Sequence, residues 1–275
     1  MIETQQELPS LESDYPLTTE QVAGFDRDGF ILLRQLCTRP EAAAYRRAII
    51  DAVAPHVDQV SATPLEKRDL YGKAFIQTQH VWDQHPSVRG FSLCRRFAKV
   101  AAELMQADCV RMYHDQTLLK EPGGGPTPWH QDQYYIPLDT DRALTMWMPL
   151  VDVSAQMGTM DFAAGSYKHG ALADVGISSQ SADVYDKLIA ERRWPIRQCG
   201  DMAAGDATFH LGWTVHRAGG NSSNRMREVI TVLYFADGAR LIESSMSAGA
   251  SRLHLKGRKR GELVDSEINP VVYRK

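Results

Sequence analysis

The chain has 275 residues, of which 43% are hydrophobic and 24% are charged, an ordinary balance for a globular protein. The net charge of −3 and isoelectric point of about 6.3 give no electrostatic case for nucleic acid or an anionic membrane as partner. The four cysteines, Cys37, Cys94, Cys109 and Cys199, are scattered and form no CxxC pair. This pattern predicts reduced thiols in a cytoplasmic protein.

Residues 1–16 are predicted to form a flexible N-terminal arm, because they are acidic and polar. They lack the basic and apolar regions of a secretory signal peptide. No apolar run in the chain reaches the roughly 20 residues that a transmembrane helix needs. The sequence therefore predicts a single domain over 17–275 that does not enter a membrane.

Helices dominate the prediction for the first hundred residues. A first helix is expected over 18–27 and a second over 38–53, and each opens at a threonine that can cap it. A short buried strand, 30–33, separates them. A third helix is predicted over 87–105, with the arginines 95–96 in solvent.

From residue 110 the pattern changes to short strands separated by turn residues. Strands are predicted at 110–119, 129–135, 143–150, 158–162, 200–210 and 228–235. Helices followed by evenly spaced strands indicate a mainly β fold with flanking helices. An insertion at 171–197, with a helix over 181–193, is either a lid over the mouth of a barrel or a surface ornament.

A candidate metal motif stands in the stretch 127–135, at His130-Gln131-Asp132. Aromatic and β-favouring residues surround it, and in a strand His130 and Asp132 would point to the same face. With a second histidine they would form the facial triad of non-haem iron enzymes. The triplet is common by chance, and an exposed polar strand face is the alternative reading.

The missing histidine is expected late in the strand region. His210 and His216 are the candidates, and His216 is preferred because it precedes a Gly-Gly-Asn turn at a strand end. His210 is as readily a core histidine or a residue that supports a ligand. Arg227 then opens an apolar strand, and a cation facing into a barrel is costly without an anion. A dicarboxylate would supply that anion through a two-pronged contact.

Several motifs, in this order, make the chain similar to the phytanoyl-CoA dioxygenase family of Fe(II)/2-oxoglutarate oxygenases. The resemblance extends over about 17–273 and depends on the order of the motifs more than on any one of them. The matching pieces are Arg111–Gln116, Trp129–Asp132, Thr145–Trp147, Gly158, Gly165–Gly170, Gly205-Asp206, His216–Asn221 and Arg227.

The resemblance implies a double-stranded β-helix, or jelly roll, that binds Fe(II) and uses 2-oxoglutarate and O2. It implies that iron is held by His130, Asp132 and His216. It implies that Arg227 grips the distal carboxylate of 2-oxoglutarate, with Gln116 and Trp147 nearby. One departure is Ala218, which stands where relatives often carry a serine two residues after the distal histidine.

The substrate is expected to be a small molecule bound by aromatic and amide side chains. Candidate pocket residues are Phe75, Gln77, Tyr134 and Tyr135. Such walls suit a flat, oxygenated aromatic or polycyclic molecule. The sequence therefore favours a tailoring oxygenase of secondary metabolism, and it leaves hydroxylation, epimerisation, cyclisation and desaturation open.

Three alternatives remain at this point. An acyl-CoA hydroxylase of the same family would need a basic mouth, and the densest basic run is only 256–260. A jelly-roll binding module would keep the barrel without its chemistry. A zinc hydrolase could use two histidines and a carboxylate, but it would leave Arg227 and Gln116 unexplained. A halogenase is disfavoured by Asp132, because halogenases of this family carry a small residue there.

Overall fold

The structure is a computed structural model that describes residues 7–275. Its strands are β1 Phe30–Leu33, β2 Ile76–Gln79, β3 Cys109–Leu119, β4 Thr127–His130, β5 Ala143–Pro149, β6 Met160–Ala163, β7 Ile196–Gln198, β8 Ala207–Leu211, β9 His216–Ala218, β10 Val229–Ala236 and β11 Val271–Arg274. Its helices are α1 Thr19–Asp28, α2 Arg39–Ser61, α3 Leu70–Ala74, α4 Val81–Gln84, α5 Pro86–Ser92, α6 Arg95–Met105, α7 Ser179–Arg192 and α8 Ser247–His254.

The strands form two antiparallel sheets. The larger sheet has the order β1-β8-β5-β10-β3-β11, with β2 also paired to β3, and the smaller has the order β4-β9-β6-β7. Side chains from both sheets line one cavity between them. This arrangement confirms the predicted mainly β fold with flanking helices, a double-stranded β-helix.

The three central strands of the larger sheet follow the sequence prediction closely. The strands predicted at 110–119, 143–150 and 228–235 are confirmed as β3, β5 and β10. The strand predicted at 200–210 begins only at Ala207, because the preceding turn is closed by a hydrogen bond from the Ala203 amide to the carboxylate of Asp206. Long apolar runs therefore located the sheet correctly, and turn chemistry set its edges.

Helices cover the face of the larger sheet that points away from the cavity, and there the main hydrophobic core lies. The helix predicted over 87–105 is two helices, α5 and α6, with an extended residue at Cys94 between them. Arg96 is not solvated as predicted. It is buried, and its guanidinium donates a hydrogen bond to Glu41 of α2 at 2.9 Å. A charged side chain that was expected in solvent therefore links α6 to α2.

The second helix is also longer than predicted. α2 begins at the Thr38 cap as expected, but it runs past Val53 and through Pro55 to Ser61. A proline inside a helix removes one hydrogen bond. Packing compensates here, because Val57 and Val60 continue the contact of the helix with the core.

The N-terminal segment, which belongs to the predicted flexible arm 1–16, packs on the domain from residue 8 onward. Leu11 is 1% exposed, and its carbonyl accepts a hydrogen bond from the amide of Arg96. The carbonyl of Pro9 accepts one from the hydroxyl of Tyr45 at 2.8 Å. Hydrogen bonds to backbone carbonyls and one buried leucine therefore hold this segment against the domain, although its polar composition is typical of disordered chains. Residues 1–6 of the predicted arm lie outside the described part.

The same residues, 7–275, show the length of the apolar helices and the state of the cysteines. None of the helices within 7–275 is long and apolar enough to cross a membrane. The four cysteines are free thiols, and Cys37 and Cys94 are buried. Burial raises the pKa of the Cys37 thiol to about 12, so this thiol is protonated and inert at neutral pH.

Candidate metal centre and its cavity

The two candidate histidine ligands are direct partners across two strands. β4 pairs with β9 so that His130 stands opposite His216. Side chains opposite each other in an antiparallel pair share one face of the sheet, and the two ring centroids are 4.1 Å apart. Both rings are buried and line the cavity.

Asp132 reaches the same space, although it does not lie on the predicted strand. β4 ends at His130, and residues Asp132–Tyr135 form a 3₁₀ turn, so the strand predicted over 129–135 is wrong beyond His130. Gln131 between them keeps extended angles, with φ −118° and ψ 124°. The alternation of faces therefore persists for one more residue and turns His130 and Asp132 to one side.

The three candidate ligand atoms are held close together. Nε2 of His130 lies 3.4 Å from Oδ1 of Asp132, and Nε2 of His216 lies 3.5 Å from the same oxygen. Nδ1 of His130 donates to the carbonyl of Pro128, and Nδ1 of His216 donates to that of Thr214. In a neutral imidazole these bonds leave the lone pair on each Nε2, where a metal ion can take it.

The second oxygen of the carboxylate is occupied by the protein. Oδ2 of Asp132 accepts a hydrogen bond from the hydroxyl of Thr145 at 2.6 Å and faces Nε2 of His210 at 3.2 Å. Thr145 and His210 are themselves register partners on β5 and β8. Oδ1 is thus the oxygen that remains available to a metal ion. His210 is buried and contacts the candidate ligand Asp132, which is the supporting role that the sequence analysis considered beside a core role.

The protonation states suit metal binding. Burial alone would raise the pKa of Asp132, but the neighbouring His216, His130 and His210 outweigh it and hold the pKa well below its usual value. Burial, with the nearby His130 and His210, keeps the pKa of His216 well below its usual value. A carboxylate and neutral imidazoles are the forms in which these groups bind metal ions. The donor set, two imidazole nitrogens and one carboxylate oxygen on one side, fits iron.

Arg227 closes the inner end of the cavity and is 1% exposed. Its Nη1 donates to the carbonyl of Gly158 at 2.7 Å. Among residues 7–275 its Nε finds no hydrogen-bond partner and no carboxylate pairs with it. Burial lowers the pKa of the guanidinium to about 9. A buried cation in this state would be stabilised by a bound anion.

A second buried basic side chain, which the sequence prediction overlooked, lies beside it. Lys120 is 0% exposed and forms a backbone bridge with Arg227. Its ammonium donates to the carbonyl of Gly125 in the triple-glycine loop. Burial, and then the charge of Arg227, lowers the pKa of Lys120 to about 6. Among the described residues no carboxylate forms an ion pair with Arg227 or Lys120, so this buried region has no negative charge of its own to balance Arg227.

One row of the larger sheet faces this inner end. The register across β3, β10 and β5 aligns Gln116, Thr231 and Trp147, and all three line the cavity. The guanidinium of Arg227 lies 5.5 Å from the centre of a Trp147 ring. Ala218 lines the cavity without a hydroxyl, whereas the buried hydroxyl of Thr231 has no partner among the described residues. Thr231 is thus a polar group of the wall that the sequence reading missed.

Three of the four predicted substrate residues line the outer end of the cavity: Phe75, Gln77 and Tyr135. Tyr134 does not, because the 3₁₀ turn points its ring into a separate surface depression beside Trp213. The sequence reading also missed several lining residues from α3, β3 and α8. They are Tyr71, Tyr113, His114, Met246, Leu253 and His254. The cavity measures about 250 Å³.

The insertion 171–197 contributes to the cavity through its loop and not through its helix. The predicted helix is confirmed as α7, which packs through Tyr185 on the face of β4 opposite the ligands. The indole of Trp129 donates to Asp186 at 2.9 Å. The preceding loop places Ile177 at the cavity, where its amide donates to the hydroxyl of Tyr135 at 2.7 Å.

The two sheets, the His-Asp-His cluster and the buried arginine together define the class of the protein. It is a non-haem iron oxygenase of the 2-oxoglutarate-dependent kind. More narrowly, the chain belongs to the phytanoyl-CoA dioxygenase (PhyH) family, whose profile matches residues 25–229. The family expected from the motifs is confirmed.

The fold is similar to two solved structures. SnoK, a non-haem alpha-ketoglutarate-dependent carbocyclase from nogalamycin biosynthesis, matches with a TM-score of 0.74 and 25% identity, over 96% of this chain and 99% of that one. The epimerase SnoN, in complex with Fe3+, alpha ketoglutarate and nogalamycin RO, matches with a TM-score of 0.69 and 22% identity, over 92% and 97%.

A curated relative shows similarity over a shorter stretch. A probable alpha-ketoglutarate-dependent hypophosphite dioxygenase of Stutzerimonas stutzeri is 26% identical over 135 residues. The match spans 46% of this chain and 46% of that protein. These relatives therefore share alpha-ketoglutarate but are named for very different molecules.

Proposed function

We propose that this chain oxidises a C–H bond of an uncharged aromatic or polycyclic small molecule, in a tailoring step of secondary metabolism. The observation that carries the proposal is the division of one cavity. Its inner end is buried and cationic around Arg227, and its outer end is neutral and aromatic around Phe75 and Tyr135. An anionic co-substrate suits the first and an uncharged ring system suits the second.

The residues fit the implied cofactors. His130, Asp132 and His216 would hold Fe(II), and Arg227 would pair with the distal carboxylate of 2-oxoglutarate near Thr231. When bound, iron couples the decarboxylation of 2-oxoglutarate by O2, which yields succinate and CO2, to the breaking of a substrate C–H bond. The protein's part is to orient these groups and to exclude water from the cavity.

The similarity to SnoK, a carbocyclase from nogalamycin biosynthesis, supports a substrate from natural-product biosynthesis, because it extends over nearly the whole of both chains. Hydroxylation is the default outcome for such an enzyme. Ring closure, epimerisation and desaturation differ from it only in what the substrate radical meets next. The four free thiols support a reducing, cytoplasmic location.

An acyl-CoA substrate is disfavoured by the surface charges. The phosphates of coenzyme A require free cations near the mouth, and the only dense basic run is 256–260. Three of its four charges are paired with nearby acids. The three pairs are Lys256 with Glu267, Arg258 with Asp265 and Arg260 with Glu243. Arg217, which does line the cavity, is bound to Asp161 at 3.0 Å.

The test is a turnover screen with Fe(II), 2-oxoglutarate and O2, followed by mass spectrometry of products and succinate. The substrates are polycyclic aglycones with their glycosides, and acyl-coenzyme A thioesters. We expect product from members of the first set and none from the second. Efficient oxidation of acyl-coenzyme A, with none of the ring compounds, would reject the proposed substrate class but leave the cofactor assignment standing.

A further inference from the structure

Three histidines from distant parts of the chain meet at the outer end of the cavity. His80 follows β2, His114 lies on β3 and His254 ends α8. The rings of His114 and His254 stack with centroids 4.5 Å apart, and Nε2 of His80 lies 2.8 Å from Nδ1 of His254. His114 and His254 line the cavity, and His80 braces His254 from behind.

A β-bulge aims one of these rings at the cavity. The register of β10 against β3 shifts after Leu233, so that Leu233 pairs with His114 but Tyr234 pairs with Met112. Tyr113 is the extra residue. Tyr113 and His114 are consecutive, yet both line the cavity. A regular strand would turn one of them away, and bulges commonly re-aim side chains at functional sites.

The three histidines are not arranged to hold a metal. Within residues 7–275, the spacing of ligand atoms that a metal requires is met only by His130, Asp132 and His216. In addition, Nε2 of His80 and Nδ1 of His254 are already engaged with each other. The cluster therefore offers hydrogen bonds and ring surfaces to the cavity.

The cluster is uncharged at neutral pH. Burial lowers the pKa of His254 to about 3 and, with the neighbouring His254 and His80, keeps that of His114 well below its usual value. The nearby wall is apolar and aromatic, with Leu233, Met246 and Leu253. Such a wall has no charge with which to recognise a carboxylate, a phosphate or an amine.

The hydrogen-bonding pattern of the wall is partly fixed. Nδ1 of His114 lies 3.1 Å from the carbonyl of Asp115. In a neutral ring this Nδ1 carries the proton and donates it, so Nε2 of His114 is an acceptor. Nδ1 of His254 forms a hydrogen bond with His80, so Nε2 is the nitrogen of His254 that remains for a ligand in the cavity. A hydroxyl group satisfies either tautomer of His254, because it both donates and accepts.

We propose that His114 and His254 bind a hydroxyl group on the ring system of the substrate and so select hydroxylated rings over their O-alkylated counterparts. The inference rests on the proposed function, since it deepens the substrate class of the same cavity. An O-alkylated oxygen has no proton to donate to Nε2 of His114, so this buried acceptor would be left without a hydrogen bond. One missing hydrogen bond corresponds to roughly a tenfold loss of affinity.

The test compares two probes, 2-naphthol and 2-methoxynaphthalene, by fluorescence titration. The protein is loaded with Fe(II) and 2-oxoglutarate and kept free of O2, so that binding is measured without turnover. We expect wild type to prefer 2-naphthol about tenfold. His114→Phe should abolish the preference while it keeps ring packing, and His254→Phe gives a second variant should the first fail to fold. Leu253→Ala, on the same wall, should weaken both probes equally.

Equal binding of the two probes by wild type, or binding of neither, overturns the inference. So does an unchanged preference in both histidine variants. Succinate formed from 2-oxoglutarate in the turnover screen with ring compounds reports separately on the proposed function. If wild type makes succinate but shows no preference for the hydroxyl, only the inference fails. If it makes none, the proposed function fails.

Discussion

The inner and outer ends of the cavity are built from different kinds of structure. The inner end consists of strand side chains in fixed register, and its cation is fully buried, with Arg227 1% exposed. The outer end adds short helices and loops to residues of β2 and β3. Part of its lining is exposed, with Tyr71 38% and Leu253 50% exposed, whereas His114 and His254 are buried. The inner end is also cationic, whereas the outer end is neutral.

The difference indicates how such a fold separates two tasks. Strand register holds a co-substrate site rigidly, because shifting one strand against its neighbour would break a ladder of backbone hydrogen bonds. Loops and short helices tolerate change, so they can adapt to a new substrate without disturbing the metal centre. Variants at the inner end should therefore stop the reaction, and variants at the outer end should redirect or uncouple it.

The largest effect is expected at the metal ligands. His216→Ala removes one of two imidazoles, so we expect loss of bound Fe(II) and of 2-oxoglutarate turnover. Iron content after desalting and succinate formation measure the two losses. His169→Ala, an exposed histidine outside the cavity, is the control and should retain both. Full iron retention in His216→Ala would remove this residue from the ligand set.

The next effect is expected at Arg227. Arg227→Leu removes one partner of a buried charge pair, which costs roughly 3–5 kcal/mol. The KM for 2-oxoglutarate should rise by about two to three orders of magnitude, and Arg227→Lys should be a poor substitute because it cannot make a two-pronged contact. The exposed Arg225→Leu is the matched control. An unaltered KM in Arg227→Leu would reject the role.

Support for the metal ligand should matter less than the ligand itself. Thr145→Val removes the hydrogen bond to Oδ2 of Asp132, and such losses typically weaken metal binding by about 10- to 100-fold. Fe(II) titration in the absence of O2 measures the change. Thr145→Ser should restore most of the affinity. A serine variant as weak as the valine variant would point to packing as the cause.

The buried charge of the inner end should also appear in stability. The pKa of Lys120 falls from 10.5 to about 6 in the fold, so between these values unfolding takes up a proton and stability rises with pH. Lys120→Met should reduce that rise by about 1.4 kcal/mol per pH unit. Denaturant unfolding from pH 7 to 10, without 2-oxoglutarate, measures it. Exposed Lys187→Met should keep the wild-type slope, and an equal slope in Lys120→Met would contradict the prediction.

The smallest effect is expected at the loop that precedes α7. We propose that this part of 171–197, and not the helix, acts as the lid. Tyr135→Phe removes the hydrogen bond to the Ile177 amide, a loss of about 1 kcal/mol. The ratio of product to succinate should fall a few-fold while succinate formation persists. Tyr134→Phe, outside the cavity, should leave the ratio unchanged. An equal fall of both products would indicate a structural role.

Much of the inner end was predictable because its signals are local. The spacing of His130 and Asp132 and the turn after His216 indicate where side chains point without any knowledge of distant contacts. Arg227 stood out because a charge opens an apolar strand. Tyr134 shows the limit of this reasoning, since a 3₁₀ turn replaced the strand whose alternation the prediction assumed.

The histidine contacts of the outer end were not predictable, because they join segments that are far apart in the sequence. His80 and His254 are separated by 174 residues in the sequence and touch only because α8 folds back over β3. Lys120 gave no signal, because a lysine beside a glutamate in a glycine-rich stretch looks like surface.

The sequence by itself determined the fold class, the iron ligands proposed for the site and the position of the arginine, through motif order, strand alternation and turn residues. Tertiary structure alone decided which tyrosine faces the cavity and that Lys120 and Arg96 are buried. It also decided that three histidines from distant segments meet at the outer end. The reason is that local pattern sets the direction of a side chain, whereas its neighbours are set by the packing of elements far apart in the chain.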